Sequence, residues 1–272
     1  MPAPELRSRT MQTTIDPALR DFLRQYLGDV EVRLAERGFS SDFAGIAEGT
    51  EGRAFVKAMR NREGGRLASL RREEGIAPYL RGIAPDLLWS AESEDWLVLG
   101  FEVVDGRTAS FAPGSADLPE VVAALDSVSR LPLPTVAQDW YETRWSRFTH
   151  DEEAAALLRG DSLLHTDVNP SNFLVANART WMVDWAWPTR GAGLIAPACL
   201  VVQLVSAGHS AAAAEAWAEG CAAWRDADPH AVDAFAAATA RMHRFLAERR
   251  GEAWLCAMAA AAESWAAHRG AA

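Results

Sequence analysis

Several features that define particular classes of protein are missing from this chain. No stretch of its 272 residues approaches the roughly 18 consecutive apolar residues that a membrane span requires. The first ten residues, MPAPELRSRT, lack the apolar core of a secretory signal peptide. The sequence also contains no internal repeat and no low-complexity linker. These observations predict a cytoplasmic protein without a membrane partner.

Cysteine and basic residues are both scarce. The three cysteines, Cys199, Cys221 and Cys256, are odd in number and widely spaced within alanine-rich patterns, so we expect reduced thiols buried in helices. The chain has 27 Lys and Arg against 37 Asp and Glu, a formal charge of -10. Such a charge argues against a nucleic-acid partner and is compatible with a cationic small molecule. It gives no indication of the number of subunits.

A glycine-rich phosphate loop is missing as well. No GxGxxG pattern occurs, and the first predicted hairpin offers only Gly45, Gly49 and Gly52 around a short acidic turn. Glu48 and Glu51 in that turn would repel a phosphate group. This hairpin therefore shows no recognisable phosphate-binding loop.

The most informative segment present is residues 163–187, LLHTDVNPSNFLVANARTWMVDWAW. The apolar runs Phe173–Val175 and Trp181–Val183, separated by a short polar stretch, predict a β-hairpin. That hairpin would bring Asn172, before its first strand, close to Asp184, after its second. Two oxygen ligands would then face one point.

The polar residues of this segment suit phosphoryl transfer. The oxygens of Asn172 and Asp184 are hard ligands of the kind that Mg²⁺ prefers, and Asp167, on a loop, is left to accept a proton. The alternative is a polar loop in which Asp167 and Asp184 only cap turns. We assign His165 an orienting role, since no third ligand is spaced to complete a zinc site with His165 and Asp167.

HTDVNPSNFLV followed by MVDW resembles the catalytic loop and metal-binding segment of the aminoglycoside phosphotransferase and choline kinase-like family, small-molecule kinases with a protein-kinase-like fold. The resemblance implies Asp167 as catalytic base and Asn172 with Asp184 as Mg²⁺ ligands. Two departures are visible. Thr166 stands where the family commonly has Gly, and Trp185 and Ala186 replace Phe and Gly after Asp184.

Upstream, the sequence predicts a helix that Asp16 caps, then strands over residues 30–58. We expect residues 1–14 to be poorly ordered. Lys57 lies in a predicted strand, FVKAM, and is interpreted as an ATP-phosphate ligand or, alternatively, as an exposed strand lysine. The next helix carries Glu73 and Glu74 beside its apolar stripe. The resemblance favours Glu73 as the partner of Lys57, whereas spacing alone allows either.

After a second predicted hairpin, the resemblance places the adenine-reading hinge at Phe101, Glu102 and Val103. An ordinary connector is the alternative there. The expected fold class is α+β: a bilobal protein-kinase-like fold with residues 1–104 forming a small lobe of antiparallel sheet plus one helix. Residues 105–272 would form a large, mainly helical lobe.

The remainder of the chain is predicted to be mostly helical. Trp217, Trp224, Trp254 and Trp265 either fill the core or line an acceptor pocket. WAWPTRGAG leads almost directly into an apolar helix, without the long activation segment and APE motif of protein kinases, which favours a small-molecule acceptor. We expect ATP, with GTP as the alternative donor, and Mg²⁺ as cofactors. The expected acceptor is a small hydroxylated molecule, first an antibiotic such as an aminoglycoside and second a metabolite alcohol. A catalytically silent binding protein is the alternative from another functional class.

Overall fold

The first helix begins where its capping residue predicts. The computed structural model describes residues 15–35, 41–177 and 179–271, so the expectation for residues 1–14 lies outside the described chain. Helix α1 spans Pro17–Leu27, and the Asp16 carboxylate accepts a hydrogen bond of 2.9 Å from the Ala18 N–H. Proline at the first helical position costs nothing, because that position has no intrahelical partner for an N–H.

An antiparallel five-stranded sheet follows α1, in the spatial order β1-β2-β3-β5-β4. The strands are β1 (Val30–Leu34), β2 (Phe43–Gly49), β3 (Gly52–Arg60), β4 (Leu87–Glu92) and β5 (Trp96–Phe101). Between β3 and β4 lies α2 (Gly65–Ile76). The two hairpins and the intervening helix agree with the sequence prediction.

Strand alternation divides the residues of β3 between two faces. Val56 and Ala58 belong to a buried cluster with Leu19 and Leu23 of α1. Because successive side chains of a strand point to opposite faces, Lys57 lies on the face away from α1. It is nevertheless buried, with 8% of its surface exposed. An exposed strand lysine, the alternative for this position, is therefore excluded.

The chain divides into two compact units, residues 1–70 with 88–103 and residues 71–87 with 104–272. The first has the core just described. The second has its own, larger core, built largely from the buried faces of its helices. These helices are α3 (Leu118–Ser129), α4 (Glu152–Ala156), α5 (Ile195–Ser206), α6 (Ala211–Ala218), α7 (Ala222–Arg225), α8 (Pro229–Arg250) and α9 (Ala253–His268).

Two small sheets in the second unit carry the segment singled out from the sequence. Strand β8 (Phe173–Ala176) pairs with β9 (Arg179–Met182) as the predicted hairpin, and β6 (Arg107–Thr108) extends it on the other side. Strands β7 (Ser162–Leu164) and β10 (Thr189–Gly191) form a separate antiparallel pair. The sequence did not predict β6 or β10, since strands of two or three residues are too short to show alternation.

The tryptophans and cysteines of the helical region differ in burial. Trp265 is fully buried, Trp217 and Trp224 are partly buried against the core, and Trp254 is exposed. Cys221 is buried, but Cys256 is exposed, so the expectation that all three thiols are core residues was wrong for Cys256. Among the described residues, no helix combines the length and apolarity needed to cross a membrane.

Candidate active site

The loop between β7 and β8 is folded around the Asp167 carboxylate. The Asn172 amide donates to Asp167 Oδ2 at 3.0 Å and to the Asp167 carbonyl at 2.8 Å. The Asn169 amide donates to the other carboxylate oxygen, Oδ1, at 3.0 Å. Each carboxylate oxygen thus receives one hydrogen bond and keeps a further lone pair, so Asp167 is oriented without being saturated.

The hairpin brings Asn172 next to the chain that ends in Asp184. Phe173 pairs with Met182, and the Val183 N–H donates to the Asn172 carbonyl at 2.9 Å. Asp184 follows immediately with φ +63°, a left-handed conformation that non-glycine residues seldom adopt. Such strain at a non-glycine residue is found preferentially at functional sites. The predicted juxtaposition of Asn172 and Asp184 at the hairpin's open end is therefore present in the backbone.

Helix α2 is tied to the segment that follows Asp184 at two points. The buried Glu73 carboxylate accepts a hydrogen bond of 3.1 Å from the Trp185 N–H. One residue earlier, the Arg72 guanidinium lies 5.3 Å from the ring centres of both Trp140 and Trp187. These contacts hold the backbone on the carboxyl side of Asp184. Glu74 is only partly buried, so the two neighbouring glutamates differ in environment.

His165 occupies an orienting position, as its place in the sequence suggested. Its Nε2 donates to the Val183 carbonyl at 3.0 Å, and its ring meets the Trp185 ring edge-on with centres 4.7 Å apart. Both contacts are to the residues that flank Asp184. His165 therefore supports the backbone on which Asp184 is carried.

An ion pair between a buried carboxylate and a half-exposed guanidinium lies beside the loop that carries Asp167. Glu142 accepts from Arg144 through both carboxylate oxygens, at 3.2 and 2.9 Å, and from the Thr189 hydroxyl at 2.9 Å. Arg144 Nη2 also donates to the Thr166 hydroxyl, immediately before Asp167. Burial tends to raise the pKa of Glu142, but the hydrogen bonds and charge of Arg144 outweigh it and leave the pKa below its ordinary value.

The oxygen donors at the open end of the hairpin fit a hard divalent cation. Both side-chain hydrogen bonds of Asn172 use its Nδ2, and within the described residues its Oδ1 accepts none. An amide oxygen and a carboxylate, the groups that Asn172 and Asp184 carry, are of the kind with which proteins hold Mg²⁺, whose remaining positions are filled by water and phosphate. Across the described chain, no group of three or more His, Cys, Asp or Glu side chains is arranged to hold a metal.

The residues predicted to contact the nucleotide phosphates and base lie in the first unit. Lys57 is buried at the centre of β3, and Phe101 ends β5 as a buried residue. Glu102 is exposed and Val103 half-buried, both outside regular structure. The roles given to these residues, and those given to Asp167, Asn172, Asp184 and Glu73, stay predictions.

Sequence reasoning missed Glu142, Arg144 and Thr189. Glu142 and Arg144 lie in an irregular segment, where no periodicity marks a side chain as buried, and their partners outside it, Thr189 and Thr166, are more than 20 residues away. One signal was available. A threonine at position 166, where the resembled family commonly has glycine, introduces a hydroxyl that needs a partner when it is buried.

Comparison with known proteins identifies the fold. No protein-family model matches the sequence, and no curated protein matches it. Among solved structures, the choline kinase LicA from Streptococcus pneumoniae is 11% identical with a TM-score of 0.63, covering 92% of this chain and 98% of that one. A thermostable mutant of aminoglycoside phosphotransferase APH(4)-Ia, in ternary complex with ADP and hygromycin B, is 14% identical with a TM-score of 0.60, covering 93% and 98%.

The macrolide 2'-phosphotransferase MphH from Brachybacterium faecium is 19% identical with a TM-score of 0.53, covering 90% of this chain and 97% of that one. The chain therefore has the protein-kinase-like fold of small-molecule kinases, and the predicted fold class is confirmed. At the level of the fold, the resemblance to the aminoglycoside phosphotransferase and choline kinase-like family is confirmed as well.

Proposed function

We propose that this protein is a kinase that transfers the γ-phosphoryl group of ATP to a hydroxyl of a small molecule. One observation carries the proposal: in a protein-kinase-like fold, Asp167 and Asn172 are hydrogen-bonded at 3.0 Å, and the β8–β9 hairpin, which begins one residue after Asn172, ends two residues before Asp184. A base and two oxygen ligands in this order are the parts that phosphoryl transfer requires.

The proposed step uses Asp167 as the proton acceptor. The acceptor's hydroxyl oxygen attacks the γ-phosphorus, its proton passes to the Asp167 carboxylate, and the bond from the γ-phosphorus to the bridging oxygen breaks to leave ADP. Asn169 and Asn172 fix the carboxylate by one hydrogen bond to each oxygen. Since the transition state needs little covalent assistance, orientation of this kind contributes most of what the base can supply.

Asn172 and Asp184 are the residues proposed to hold Mg²⁺. When bound, the ion would neutralise negative charge on the nucleotide phosphates. The uncommitted Oδ1 of Asn172 and the left-handed backbone at Asp184 support this assignment. Glu73, through the Trp185 N–H, would keep Asp184 in place.

For the nucleotide, we propose Lys57 as a phosphate ligand and Phe101, Glu102 and Val103 as the hinge that reads the base. The burial of Lys57 supports its role, because a lysine placed in a sheet interior requires an anionic partner. ATP is the proposed donor, and GTP the alternative. Residues 1–104 and 105–272 are proposed as the two lobes.

An aminoglycoside or another antibiotic is the first candidate acceptor, which would make the protein an antibiotic-resistance enzyme. Its support is the formal charge of -10 and the likeness to a phosphotransferase crystallised with hygromycin B. A metabolite alcohol, such as an amino alcohol or sugar, is the second candidate, supported by the likeness to a choline kinase. A catalytically silent binding protein is favoured only by the acidic turn that lacks a GxGxxG pattern.

The test combines an acceptor panel with two substitutions. Purified protein is incubated with Mg·ATP and aminoglycosides, macrolides, amino alcohols and sugars, and phosphate mass on each compound and ADP release are measured. Asp167→Ala and Asp184→Ala should abolish transfer and leave the circular dichroism unchanged, whereas the surface control Asp226→Ala should retain it. Full turnover by either of the first two variants would remove the assignment, and nucleotide binding without transfer to any compound would favour the silent protein.

A further inference from the structure

Thr166 is a departure from the resembled family, and the structure shows what it contacts. Its side chain is buried, and its hydroxyl accepts a hydrogen bond from Arg144 Nη2. Glycine could not accept this bond. The peptide that carries Asp167 is therefore connected to a charged group from outside its own loop.

Arg144, whose side chain is 48% exposed, is itself held by the carboxylate of Glu142. The Glu142 carboxylate, only 3% exposed, bonds the Arg144 side chain through both oxygens and also accepts from the Arg144 backbone N–H at 2.8 Å. The Thr189 hydroxyl, on β10, donates to the same carboxylate. A planar guanidinium fixed by a two-point ion pair presents its remaining N–H groups in a set direction. The chain Thr189, Glu142, Arg144, Thr166 thus links β10 to the loop before β8.

The charge of Arg144 also acts on the loop. Burial tends to lower the pKa of Arg144, but the bonds and charge of Glu142 raise it, and the nearby charge of Asp167 raises it further, so its pKa lies above the ordinary value. The guanidinium is therefore a permanent cation within electrostatic reach of Asp167. Its charge and its hydrogen bond both act to keep residues 166 and 167 in one position.

We propose that Arg144, held by Glu142, is a positioning residue that locks the Thr166–Asp167 peptide so that the Asp167 carboxylate faces the acceptor hydroxyl. The catalytic part of this inference rests on the proposed function, whereas the locking of the loop does not. Arg144 acts through Thr166 and needs no contact with substrate. Its loss should lower kcat and leave the KM for ATP unchanged.

Thr166→Val is the decisive variant. It keeps the volume of the side chain and the Glu142–Arg144 pair but removes the acceptor oxygen. Arg144→Met removes the donor as well, but it leaves Glu142 buried without its partner and so threatens the fold. Thr166→Ser keeps the hydroxyl and should therefore keep both the loop's protection and the activity. Arg147→Met, at an exposed arginine three positions further on, is the matched control.

Two measurements are made on each folded variant. Hydrogen exchange of a peptide covering residues 163–173 reports the loop directly. ADP release from Mg·ATP, with hygromycin B, with choline and with water alone as probes, reports kcat and KM. In Thr166→Val we expect exchange to be faster and kcat lower, each by about tenfold, as the loss of a charged hydrogen bond predicts. Thr166→Ser and Arg147→Met should match the unmodified protein.

The outcomes separate the two proposals. Unchanged exchange in Thr166→Val overturns the locking role, whatever the activity. Faster exchange with unchanged kcat in an active protein overturns the catalytic consequence. Faster exchange in a protein that releases no ADP with any probe supports the locking role and counts against the proposed kinase function.

Discussion

Two antiparallel hairpins, β2–β3 and β8–β9, carry polar residues at opposite ends. In β2–β3 these residues lie at the turn, and in β8–β9 they lie at the open end. In β2–β3 the turn end is acidic and exposed, with Glu48 paired to Arg53 in the strand register and Glu51 in the turn. In β8–β9 the open end is partly buried and carries Asn172 and the start of the Asp184 segment. The two hairpins therefore differ in the surroundings of their polar residues, which are exposed at the turn of β2–β3 and partly buried at the open end of β8–β9.

The glycines of β2 have a structural explanation that does not involve phosphate. A Cβ at Gly45 would lie 2.6 Å from the Arg33 carbonyl oxygen of β1, and one at Gly49 would lie 2.1 Å from the Leu27 carbonyl oxygen at the end of α1. No side chain fits at such distances. Both glycines are therefore required by the close approach of neighbouring backbone within the first unit.

The largest expected effect comes from substituting Asp184, which follows the open end of β8–β9. Asp184→Gly and Asp184→Ala should each lower phosphoryl transfer by about a hundredfold or more, because a preorganised charge is lost. Their stabilities should differ. At φ +63° glycine is unstrained, whereas alanine costs about 1 kcal/mol, so the glycine variant should melt about 2–4 °C higher.

Thermal unfolding of the two variants, beside their ADP-release rates, checks this separation of backbone strain from carboxylate chemistry. Asp184→Asn serves as the control, since asparagine tolerates the left-handed conformation and keeps one oxygen. Equal melting temperatures for the glycine and alanine variants would show that the left-handed backbone is not strained.

A smaller effect is expected from removing the hydrogen bond between α2 and the segment that follows Asp184. Glu73→Ala removes the acceptor for the Trp185 N–H from a buried position, so kcat/KM should fall by about tenfold to a hundredfold. Glu74→Ala, one residue away and only partly buried, should stay within about twofold. Steady-state kinetics of the pair shows which of the two glutamates the activity depends on, and a larger loss in Glu74→Ala would contradict the role given to the contact between Glu73 and Trp185.

How far the sequence could predict this site depends on the range of each interaction. Asp167, Asn172 and Asp184 lie within 18 residues, and a hairpin with clear alternation connects the last two, so their proximity followed from local pattern. The partners of Thr166 and Trp185 did not, because Arg144 is 22 and Glu73 is 112 residues away. Contacts over such separations depend on how whole elements pack, and irregular segments such as residues 138–145 carry no period to reveal their buried side chains.

Glu142 provides a pH test beside the loop that carries Asp167. Its pKa in the folded protein lies below the ordinary value, so the stability it contributes is present above the unfolded pKa and is lost as pH falls through the folded pKa. The stability advantage of the unmodified protein over Glu142→Gln should therefore be largest at neutral pH and shrink with acidification below about 4.5. Urea unfolding at pH 7, 5 and 4 measures it.

Glu263→Gln, at an exposed salt bridge with Arg244, is the control and should show a small, nearly constant difference. An advantage for Glu142 that grows on acidification would contradict the direction of its pKa shift and remove the ion pair with Arg144 as its cause.

The smallest effect is expected at the turn of β2–β3. Glu48 and Glu51 are exposed, and charges in contact with water interact weakly and are screened within about 10 Å at moderate salt. If the turn does not contact the nucleotide, Glu48→Gln and Glu51→Gln should each change the KM for ATP by less than about twofold at any ionic strength. Kinetics at 20 and 300 mM salt test this, with Glu31→Gln on β1 as the matched control.

A KM that falls severalfold at low salt in either turn variant, but not in the control, would place these carboxylates beside the phosphates. The turn would then repel the nucleotide. Both hairpins would lie close to the nucleotide, and they would differ in whether their polar residues attract or repel its phosphates.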